Sequence, residues 1–505
     1  MRVLAKFPFL VILIGIASAA MYLPAIHAVS IRDHHTARAF FYSGTLFLFF
    51  AVVLGLSSYQ SRPRNLALSH LIALPLFFTF MPFLLAFPFW EAVGNTTFLN
   101  AYFEMVSSLT TTGATLFDDP ARLAPSVHLW RALVGWMGGF FVWVTALAIL
   151  APLNLGGFEV ISSQTIGQGT KHDALSVRTA NTRELLLRFS GQLLPIYGGI
   201  TGALWLLLIL SGEERLIAVC HAMSVIATSG ISPVGGLENG LSGLPGELFM
   251  FLFLGFALSR QTFTPETGRE GWGRLLRDPE INLGLACLAV IPMLLFLRHW
   301  LGAYDVDDQE NTVAALRALW GSVFSVLSFL TTTGFVSADW ADARVWSGLQ
   351  TPGMVLLGLA LIGGGVATTA GGVKLLRVYA LYKHGVREMD KLVHPSSVGG
   401  AGVFARHIRR RGAYVAWIFF MMFALSIALI MTLLSLTGLH FEDVSILTVA
   451  ALSTTGPVAQ VAGEVPISFS ELDSAGKVIL SGAMILGRLE MLAIIALLNP
   501  EFWRQ

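Results

Sequence analysis

One short pattern, in which hydroxyl side chains lead into a glycine, occurs four times in this chain of 505 residues. Each copy lies between two long apolar segments, and the four glycines recur at intervals of about 105–120 residues. A pattern with that period is typical of tandem membrane repeats, and four copies predict a fourfold ring. The copies are Thr110-Thr111-Thr112-Gly113, Ala227-Thr228-Ser229-Gly230, Thr331-Thr332-Thr333-Gly334 and Ser453-Thr454-Thr455-Gly456.

Hydroxyl and glycine residues together suit a site for a dehydrated cation. Such an ion needs oxygen atoms on every side, and successive backbone carbonyls and threonine hydroxyls supply them. Glycine adopts a positive φ without the cost that a Cβ imposes, so the glycine of each copy is expected to aim carbonyls at a shared axis. A single copy would be interpreted as the end of a buried helix, where glycine caps are common. Four copies at equivalent places favour an ion filter.

The composition is that of a membrane protein. Hydrophobic residues make up 55% of the chain, charged residues only 12%, and the net charge is +1. These proportions are typical of a polytopic protein that is surrounded by the lipid bilayer. The sequence has no long basic run, which argues against nucleic acid as a partner. Its two cysteines, Cys220 and Cys287, are in different repeats and apolar settings, and are predicted to be buried free thiols.

The apolar segments predict an all-α chain of four helix-pore-helix repeats in a pseudo-fourfold arrangement around a pore. Four short segments, near 97–111, 214–228, 315–332 and 442–455, lead into the four motifs and are predicted to be re-entrant pore helices. The predicted spans, each of about 20 residues, lie near 7–27, 38–57, 66–90, 129–153, 188–211, 244–262, 280–300, 350–382, 413–437 and 476–499. The predicted domains are an accessory transmembrane hairpin over 1–60 and pore repeats over 61–160, 161–270, 271–400 and 401–505.

The N-terminal segment and the charged loops predict an orientation. Arg2 and Lys6 precede an apolar stretch that resembles a secretory signal, but its length is nearer 20 residues than ~10, which favours an uncleaved helix. Basic residues fall on one side of the alternating spans, and this side is predicted to be the cytoplasm and to hold both termini. Acidic residues dominate the other side. They either concentrate cations at the pore mouth or are ordinary solvated loop charges.

A glycine-rich run from Gly363 to Gly372 interrupts the long span of the third repeat just after its midpoint. Glycine costs up to ~1 kcal/mol in a helix interior, so five glycines favour an irregular loop that could act as a movable barrier below the filter. The alternative is close helix packing through small residues. Lys374 is expected to be structural. The candidate gate residues are Gly363, Gly364, Gly365, Thr368, Thr369, Gly371, Gly372 and Lys374.

Three ionisable side chains fall inside predicted membrane segments. Arg488 lies ~16 Å along the last helix from Lys477. It is either a pore-facing charge beneath the filter or one half of a buried ion pair. Glu104 and His221, each in a pore-helix segment, are expected to be structural hydrogen-bonding groups rather than proton carriers.

Together these features resemble the TrkH potassium-transport proteins of the Trk/Ktr/HKT superfamily. The resemblance covers nearly the whole chain and implies a potassium uptake protein of the bacterial inner membrane, a homodimer whose subunits each have a pore and a two-helix N-terminal domain. Besides the four motifs and the glycine-rich run to Lys374, it rests on Gly135-Trp136-Met137-Gly138-Gly139 opening the second helix of repeat one, on Arg387-Glu388 through Val393-His394-Pro395, and on Gly487-Arg488-Leu489-Glu490.

The resemblance also assigns roles. It makes the loop from Gly363 to Gly372 the intramembrane gate, places Arg488 in the conduction path and implies a partner, a cytosolic nucleotide-binding ring of the TrkA type. The chain departs from the strongest filter pattern at Ser229 and at Pro457, so the fourfold symmetry is expected to be imperfect. The residues that the resemblance assigns to potassium binding are Thr111, Thr112, Gly113, Thr228, Ser229, Gly230, Thr332, Thr333, Gly334, Thr454, Thr455 and Gly456.

The predicted function is potassium uptake through a gated, selective pore, without a catalytic group or an organic cofactor. An inside-negative potential contributes about 2.3 kcal/mol per charge for each 100 mV, which favours entry. Cotransport of potassium with sodium or a proton stays open, as does a potassium-binding subunit of a pump complex. An intramembrane enzyme is the alternative from another class, but it would need paired carboxylates, a Ser/His pair or metal-ligand spacing.

Overall fold

The chain folds into helices that are joined by turns and irregular segments. A computed structural model describes residues 9–58, 66–151, 182–259, 278–302, 312–394 and 413–489, and every regular element in these ranges is helical. The predicted all-α class is therefore confirmed. The helices are α1 Phe9–Ala20, α2 Tyr22–Ser30, α3 His34–Ser57, α4 Leu66–Val93, α5 Phe98–Leu109, α6 Pro125–Thr145, α7 Thr182–Leu210, α8 Arg215–Ala227, α9 Gly243–Leu254, α10 Pro279–Gly302, α11 Thr312–Leu330, α12 Trp340–Ser347, α13 Gly353–Ile362, α14 Leu375–Val393, α15 Ala413–Ser435, α16 Phe441–Leu452 and α17 Ser474–Arg488.

The first three helices form a hairpin beside the first repeat. Between α2 and α3 the chain reverses at Asp33, whose carboxylate accepts a hydrogen bond from the Thr36 amide and so caps α3. The hairpin is fixed to α6 at two points. His27 Nδ1 lies 2.7 Å from Ser126 Oγ, and the Phe40 and Trp130 rings meet edge to face at 5.5 Å between centroids. The predicted accessory hairpin therefore lies outside the ring of repeats.

The pore helices are α5, α8, α11 and α16, and each lies between two other helical segments of its own repeat. In the third repeat the second segment is broken into α13 and α14, which confirms the predicted interruption. The expected domain boundaries near 60, 160, 270 and 400 lie outside the described residues, so the division stays a prediction. The part of the last predicted span beyond Leu489 lies outside them too.

Within the described ranges, eight helices are long and apolar enough to cross a membrane. One of them is Val313–Leu330 in the third pore helix, so the expectation that all four pore helices are too short is wrong for this one. It begins at Thr312, before the predicted start, and still ends at its hydroxyl motif as the others do. Conversely, α9 is only 12 residues long, because a 3-10 turn at Gly255–Ala257 ends it.

Two glycines let the second helix of a repeat pack directly on its pore helix. A Cβ built on Gly138 in α6 would collide with the Leu109 carbonyl of α5, and one on Gly487 in α17 would collide with the Leu452 carbonyl of α16. The close approach is what glycine permits. The motif Gly135 to Gly139 lies in the middle of α6, not at its opening, because that helix begins at Pro125.

The two cysteines are free thiols, as predicted, but their surroundings differ. Cys220 in α8 is fully buried, whereas Cys287 in α10 is only half-buried. The expectation of burial is therefore right for Cys220 and wrong for Cys287, which lies on a helix that packs on the protein along one side only.

Candidate ion filter and gate loop

The four hydroxyl-glycine motifs, called segments 1 to 4 here in chain order, meet in a closed ring. A Cβ added to the glycine of one segment would run into the residue just before or just after the corresponding glycine of the next, and the fourth contact returns to the first segment. The Gly456 amide also donates a hydrogen bond of 2.6 Å to the Thr112 carbonyl, which joins segment 4 to segment 1. The contacts are Gly113 with Ser229, Gly230 with Thr333, Gly334 with Pro457, and Gly456 with Ala114.

Each pore helix ends in a Schellman motif formed by its own segment. In segment 1 the Thr112 amide donates to the Ser107 carbonyl at 2.8 Å and the Thr111 amide to the Ser108 carbonyl at 2.9 Å. These two bonds satisfy carbonyls that a helix end otherwise leaves without a partner. The same two bonds close the other three pore helices. The donors are the amides of Thr228 and Ser229, of Thr332 and Thr333, and of Thr454 and Thr455, and the acceptors are carbonyls of the pore helix before each segment.

The left-handed residue of each Schellman motif is a threonine. Glycine is usual there, because a left-handed conformation costs an L-residue about 1–2 kcal/mol and is especially unfavourable for a β-branched one. Such a conformation at four equivalent positions is what a functional backbone shape would require. The φ angles are 55° for Thr111, 51° for Thr228, 58° for Thr332 and 55° for Thr454.

The glycines themselves follow the expectation in three segments out of four. Their φ angles are 73° at Gly113, 64° at Gly230 and 84° at Gly334. Gly456 has no positive φ and instead begins a 3-10 turn, Gly456–Gln460, with Pro457 as its second residue. The expectation that all four glycines supply positive φ is therefore wrong for segment 4.

Hydroxyl groups face two directions within a segment. In segment 1, Thr110 Oγ1 donates back to the Val106 carbonyl at 2.7 Å and lies 2.8 Å from Thr112 Oγ1, so both point toward the pore helix. The left-handed Thr111 does not join them, and its buried hydroxyl has no partner among the described residues. The same is true of Thr454, while Thr332 Oγ1 accepts the Gly371 amide at 2.6 Å. Thr332 and Thr454 thus present their hydroxyls to the glycine-rich run at Gly371, whereas Thr228 Oγ1 donates to the Ala227 carbonyl at 2.7 Å.

A buried carboxylate lies behind segment 1. Glu104 Oε1 accepts hydrogen bonds from Thr115 Oγ1 at 2.9 Å and from the Leu116 amide at 2.6 Å. Its other oxygen is 3.0 Å from Arg131 Nε in α6, and neither side chain of this ion pair is more than 5% exposed. Hydrogen bonds to a charged group are stronger than neutral ones, so the backbone just after Gly113 is firmly held. Glu104 is a structural group here, as predicted.

His221 is the equivalent buried polar group behind segment 2, where it holds the chain just after Gly230. Its Nε2 lies 2.9 Å from Ser232 Oγ, and its ring meets Phe335, the residue after Gly334, edge to face at 5.5 Å. The buried Nδ1 has no hydrogen-bond partner among the described residues, so a neutral ring with its proton on Nε2 satisfies the site best. His221 is likewise structural, as predicted.

The corresponding group for segment 3 comes from another repeat. Glu247 of α9 accepts hydrogen bonds from Ser337 Oγ at 2.8 Å, from the Ala338 amide at 2.7 Å and from Trp320 Nε1 at 2.9 Å. One carboxylate thus accepts from a hydroxyl and from the amide of the next residue. Glu104 accepts from Thr115 and Leu116 in the same way. Sequence reasoning missed Glu247, because nothing in its local pattern relates it to a pore segment about 90 residues later.

The glycine-rich run forms a compact loop whose two limbs meet at a narrow neck. The Val373 amide donates to the Leu361 carbonyl at 3.0 Å and the Lys374 amide to the Ile362 carbonyl at 2.8 Å. At the neck, a Cβ on Gly372 would lie 2.7 Å from Gly363 Cα. Both glycines have positive φ, 75° and 73°. The predicted irregular loop is therefore present, with glycine required at its neck.

The tip of this loop touches segments 3 and 4 and the pore helix that leads into segment 2. The Gly371 amide donates to Thr332 Oγ1, and a Cβ on Gly371 would collide with Thr454 Oγ1 and the Ser453 carbonyl. Thr369 Oγ1 donates to the Ile226 carbonyl, just before segment 2, at 3.1 Å. The loop therefore lies against one side of the ring, next to the left-handed Thr332 and Thr454.

The limb before the tip is fixed to neighbouring elements. The Gly365 amide donates to the Ala257 carbonyl at 3.0 Å, and the Val366 amide to Glu280 Oε1 of α10 at 2.8 Å. Glu280 is only 2% exposed. After the tip, Lys374 Nζ donates to the Ala370 carbonyl within the loop. Lys374 thus has a structural contact, as expected.

Arg488 ends α17 next to the gate loop. It is 6% exposed and lines a cavity of about 40 Å³ together with Thr368, Gly371 and Lys374. Thr145 and Phe78 of the first repeat complete its wall. The structure thus brings the predicted gate residues and the predicted pore-facing charge to one place, on the side of the ring opposite to the outer loops.

Carboxylates also tie together the loops on the other side. Asp118 Oδ2 accepts hydrogen bonds of 2.7 Å from Ser468 Oγ and Ser470 Oγ, which joins repeats 1 and 4. Burial raises the pKa of the Glu213 carboxyl, but hydrogen bonds from Ser242 and the Leu241 amide outweigh it, so that pKa lies below its ordinary value. Glu213 is therefore charged at neutral pH and adds negative charge to this side. The acidic residues at 305–310 lie outside the described residues.

Comparison with known proteins finds one family throughout. A family model described as TrkH, cation transport protein, matches residues 281–503. The Trk system potassium uptake protein TrkI of Halomonas elongata is 30% identical over 421 residues, covering 80% of this chain and 78% of that protein. The Trk system potassium uptake protein TrkH of Salmonella typhimurium is 29% identical over 502 residues, 98% of each chain.

A solved structure has the same architecture. The crystal structure of the potassium transporter TrkH from Vibrio parahaemolyticus matches with a TM-score of 0.81, covers 100% of both chains and is 25% identical in sequence.

Proposed function

This chain belongs to the TrkH family of Trk potassium uptake proteins, and on that premise we propose that it carries potassium ions across the bacterial inner membrane through a gated, selective pore. It is a potassium uptake transporter subunit and a multi-pass membrane protein. The observation that carries the proposed mechanism is the closed ring of segments 1 to 4, each of which turns its backbone by the same pair of capping bonds.

Potassium binds, in this proposal, inside the ring and between backbone carbonyls and hydroxyls of the four segments. A partly dehydrated ion is stabilised there by several oxygen dipoles at once. The left-handed threonines support this role, since Thr111 and Thr454 present buried hydroxyls that no described residue engages. Each pore helix also directs its partly negative C-terminal end toward the ring. Transport needs no covalent step and no organic cofactor.

The loop from Gly363 to Lys374 acts as the gate of this pore. Its tip at Thr369 to Gly371 blocks one side of the ring by contacts with segments 3 and 4. Conduction therefore requires the tip to leave, while the neck between Gly363 and Gly372 holds the two limbs together. Arg488 places a positive charge beside the tip, which raises the energy of a cation there and favours the closed state.

The subunit works within a larger assembly. We infer a homodimer, with a nucleotide-binding ring of the TrkA type on the cytoplasmic face and both termini on that same side. The exposed lysines of α14, Lys383 and Lys391, support a docking site there, because that helix continues directly from the gate loop. A movement of α14 is thereby transmitted to Lys374.

The test is uptake of rubidium and sodium into proteoliposomes that contain purified protein, with and without the cytosolic ring and its nucleotide. Rubidium should enter in preference to sodium. In Gly334→Ser the preference should fall about tenfold, a change of about 1.4 kcal/mol, because the new side chain must fit 3.1 Å from Pro457 at a φ of +84°.

The matched control is Gly199→Ser in α7, where a Cβ meets nothing within 4 Å. Its selectivity should equal that of the unchanged protein. The proposal fails if well-folded protein passes no rubidium even when the ring and nucleotide are present, or if Gly334→Ser keeps the full preference.

A further inference from the structure

The residues that follow each glycine are called the outer limbs here. In segments 1 to 3 the outer limb is held by one common arrangement of hydrogen bonds. A hydroxyl side chain accepts the amide two residues on, as Thr115 does from Phe117, Ser232 from Val234 and Ser337 from Asp339, each at 3.2 Å. A buried polar side chain then bonds that hydroxyl. The holding groups are Glu104, His221 and Glu247.

The outer limb of segment 4 lacks the side chains that this hydrogen-bond arrangement needs. It reads Pro457, Val458, Ala459, so it has no hydroxyl, and the position that corresponds to Glu104 and His221 in the pore helix is Leu447. In place of the hydroxyl turn the limb forms the 3-10 turn Gly456–Gln460. Proline fixes its own φ and removes one amide donor, so it sets the shape of this limb from within.

The Pro457 ring touches two other segments. Its Cδ and Cγ lie 3.1 Å from where a Cβ of Gly334 would be, and its Cγ lies 2.9 Å from the corresponding point on Gly230. Segment 3 is the neighbour of segment 4, but segment 2 is opposite to it, since the ring contacts run 1 to 2 to 3 to 4 and back to 1. A side chain that reaches the opposite segment must extend toward the axis.

From this geometry we propose that Pro457 is a specificity-determining residue, whose ring narrows the outer end of the pore and excludes cations larger than potassium and rubidium. The inference rests on the proposed function of the four segments as a filter. The pore is narrowed by carbon atoms of the Pro457 ring, which offer an ion no favourable contact. Pro457 therefore selects among cations by their size. Carbonyl and hydroxyl oxygens of the four segments still supply the binding.

The experiment compares rubidium with caesium uptake in bacterial cells that lack their own potassium uptake systems and express the full chain. Three variants form a size series, Pro457→Gly, Pro457→Ala and Pro457→Val. All three restore the amide, so they differ only in side-chain volume and backbone freedom. We expect the rubidium-to-caesium ratio to fall about tenfold in the Gly and Ala variants and to stay near the original value in the Val variant.

The matched control is Pro120→Ala. Pro120 also packs on a glycine of positive φ, with its Cγ 3.1 Å from the Cβ position of Gly235, but it lies in the outer loops away from the ring. Its ion ratio should not change. Equal ratios across the Gly, Ala and Val variants, with rubidium uptake retained, would overturn the role of Pro457 and leave the filter proposal standing. If the protein without substitutions took up sodium as readily as rubidium, the filter proposal itself would be contradicted.

Discussion

At the scale of single residues, the four segments combine a strained backbone with buried polar groups that keep it in place. A left-handed threonine is costly, and the free energy for holding it must come from contacts elsewhere in the fold. Behind segment 1 these contacts include two hydrogen bonds to Glu104 and the ion pair of Glu104 with Arg131. The selectivity of the pore therefore depends on side chains that never touch an ion.

Glu104→Gln should lower the preference for rubidium over sodium by about tenfold. The amide keeps the volume of the carboxylate but turns one oxygen into a donor, so it loses a charge-assisted bond and leaves Arg131 buried without its partner. Breaking such a pair is strongly destabilising, by about 3–5 kcal/mol. Uptake in proteoliposomes gives the ion preference, and thermal unfolding in detergent gives the stability.

Glu213→Gln is the control for Glu104→Gln, because Glu213 also accepts backbone amides, those of Leu241 and Ser242, but in a loop beyond the ring. It should lower stability without changing the ion preference. An unchanged preference in Glu104→Gln would show that Glu104 supports the fold and not the shape of segment 1.

At the scale of elements, the gate loop has a fixed part and a part that can move. Its neck is held by backbone bonds between 361–362 and 373–374, and its first limb by Glu280 and the Ala257 carbonyl. The tip is bonded to the pore helix before segment 2 and to segment 3, by Thr369 Oγ1 to the Ile226 carbonyl and by the Gly371 amide to Thr332 Oγ1. Opening of the proposed gate would break these two bonds and leave those of the neck in place.

Gly372→Ala should destabilise the closed state of the proposed gate, so that ions pass without the cytosolic ring. The new methyl group would lie 2.7 Å from Gly363 Cα at a φ of +73°, so the limbs cannot close as they do now. Rubidium uptake without the cytosolic ring should rise about tenfold, as expected when the closed state loses about 1.4 kcal/mol. Gly385→Ala in α14, where a Cβ meets nothing within 4 Å, should keep the low uptake. Low uptake in both variants would exclude the neck as the element that keeps the pore shut.

At the scale of the whole molecule, the first and fourth repeats are each made compact by a helix that approaches its own pore helix at a glycine. Gly138 brings α6 onto the first pore helix and Gly487 brings α17 onto the fourth, each against a backbone carbonyl. A lipid tail is as apolar as a leucine side chain, so packing and not water exclusion must hold such helices together. Close backbone approach then becomes a main source of stability.

Gly138→Ala should lower the free energy of unfolding by about 1–3 kcal/mol, the usual cost of overpacking. The reason is that Leu109 presents backbone, which cannot turn aside as a side chain can. Thermal unfolding in detergent measures the change. Gly198→Ala in α7, with open space at its Cβ, should be neutral or slightly stabilising, because alanine favours helix. Equal midpoints for both variants would contradict this account of how α6 packs on the first pore helix.

Much of this architecture follows from the sequence, because its signals are local. The four motifs, the apolar spans around them and the glycine-rich interruption each lie within a short window, and each predicts an element that the structure has. The left-handed threonines could not be foreseen, since propensity assigns that conformation to glycine. The partnership of Glu247 with Ser337 could not be foreseen either, because it joins residues of different repeats. The start of the third pore helix was missed for the usual reason that helix ends are weakly encoded.

The closed ring of four segments belongs to one polypeptide, and this has a consequence for how such a pore can change in evolution. In a channel of four identical chains, one codon change alters every quadrant of the ring together, so small adjustments come only as fourfold steps. Here a mutation alters one quadrant and leaves three as a reference. Segment 4, with its proline and its 3-10 turn, is the quadrant whose backbone differs most from the other three. Selectivity can thus be graded finely along a lineage, one quarter of the ring at a time.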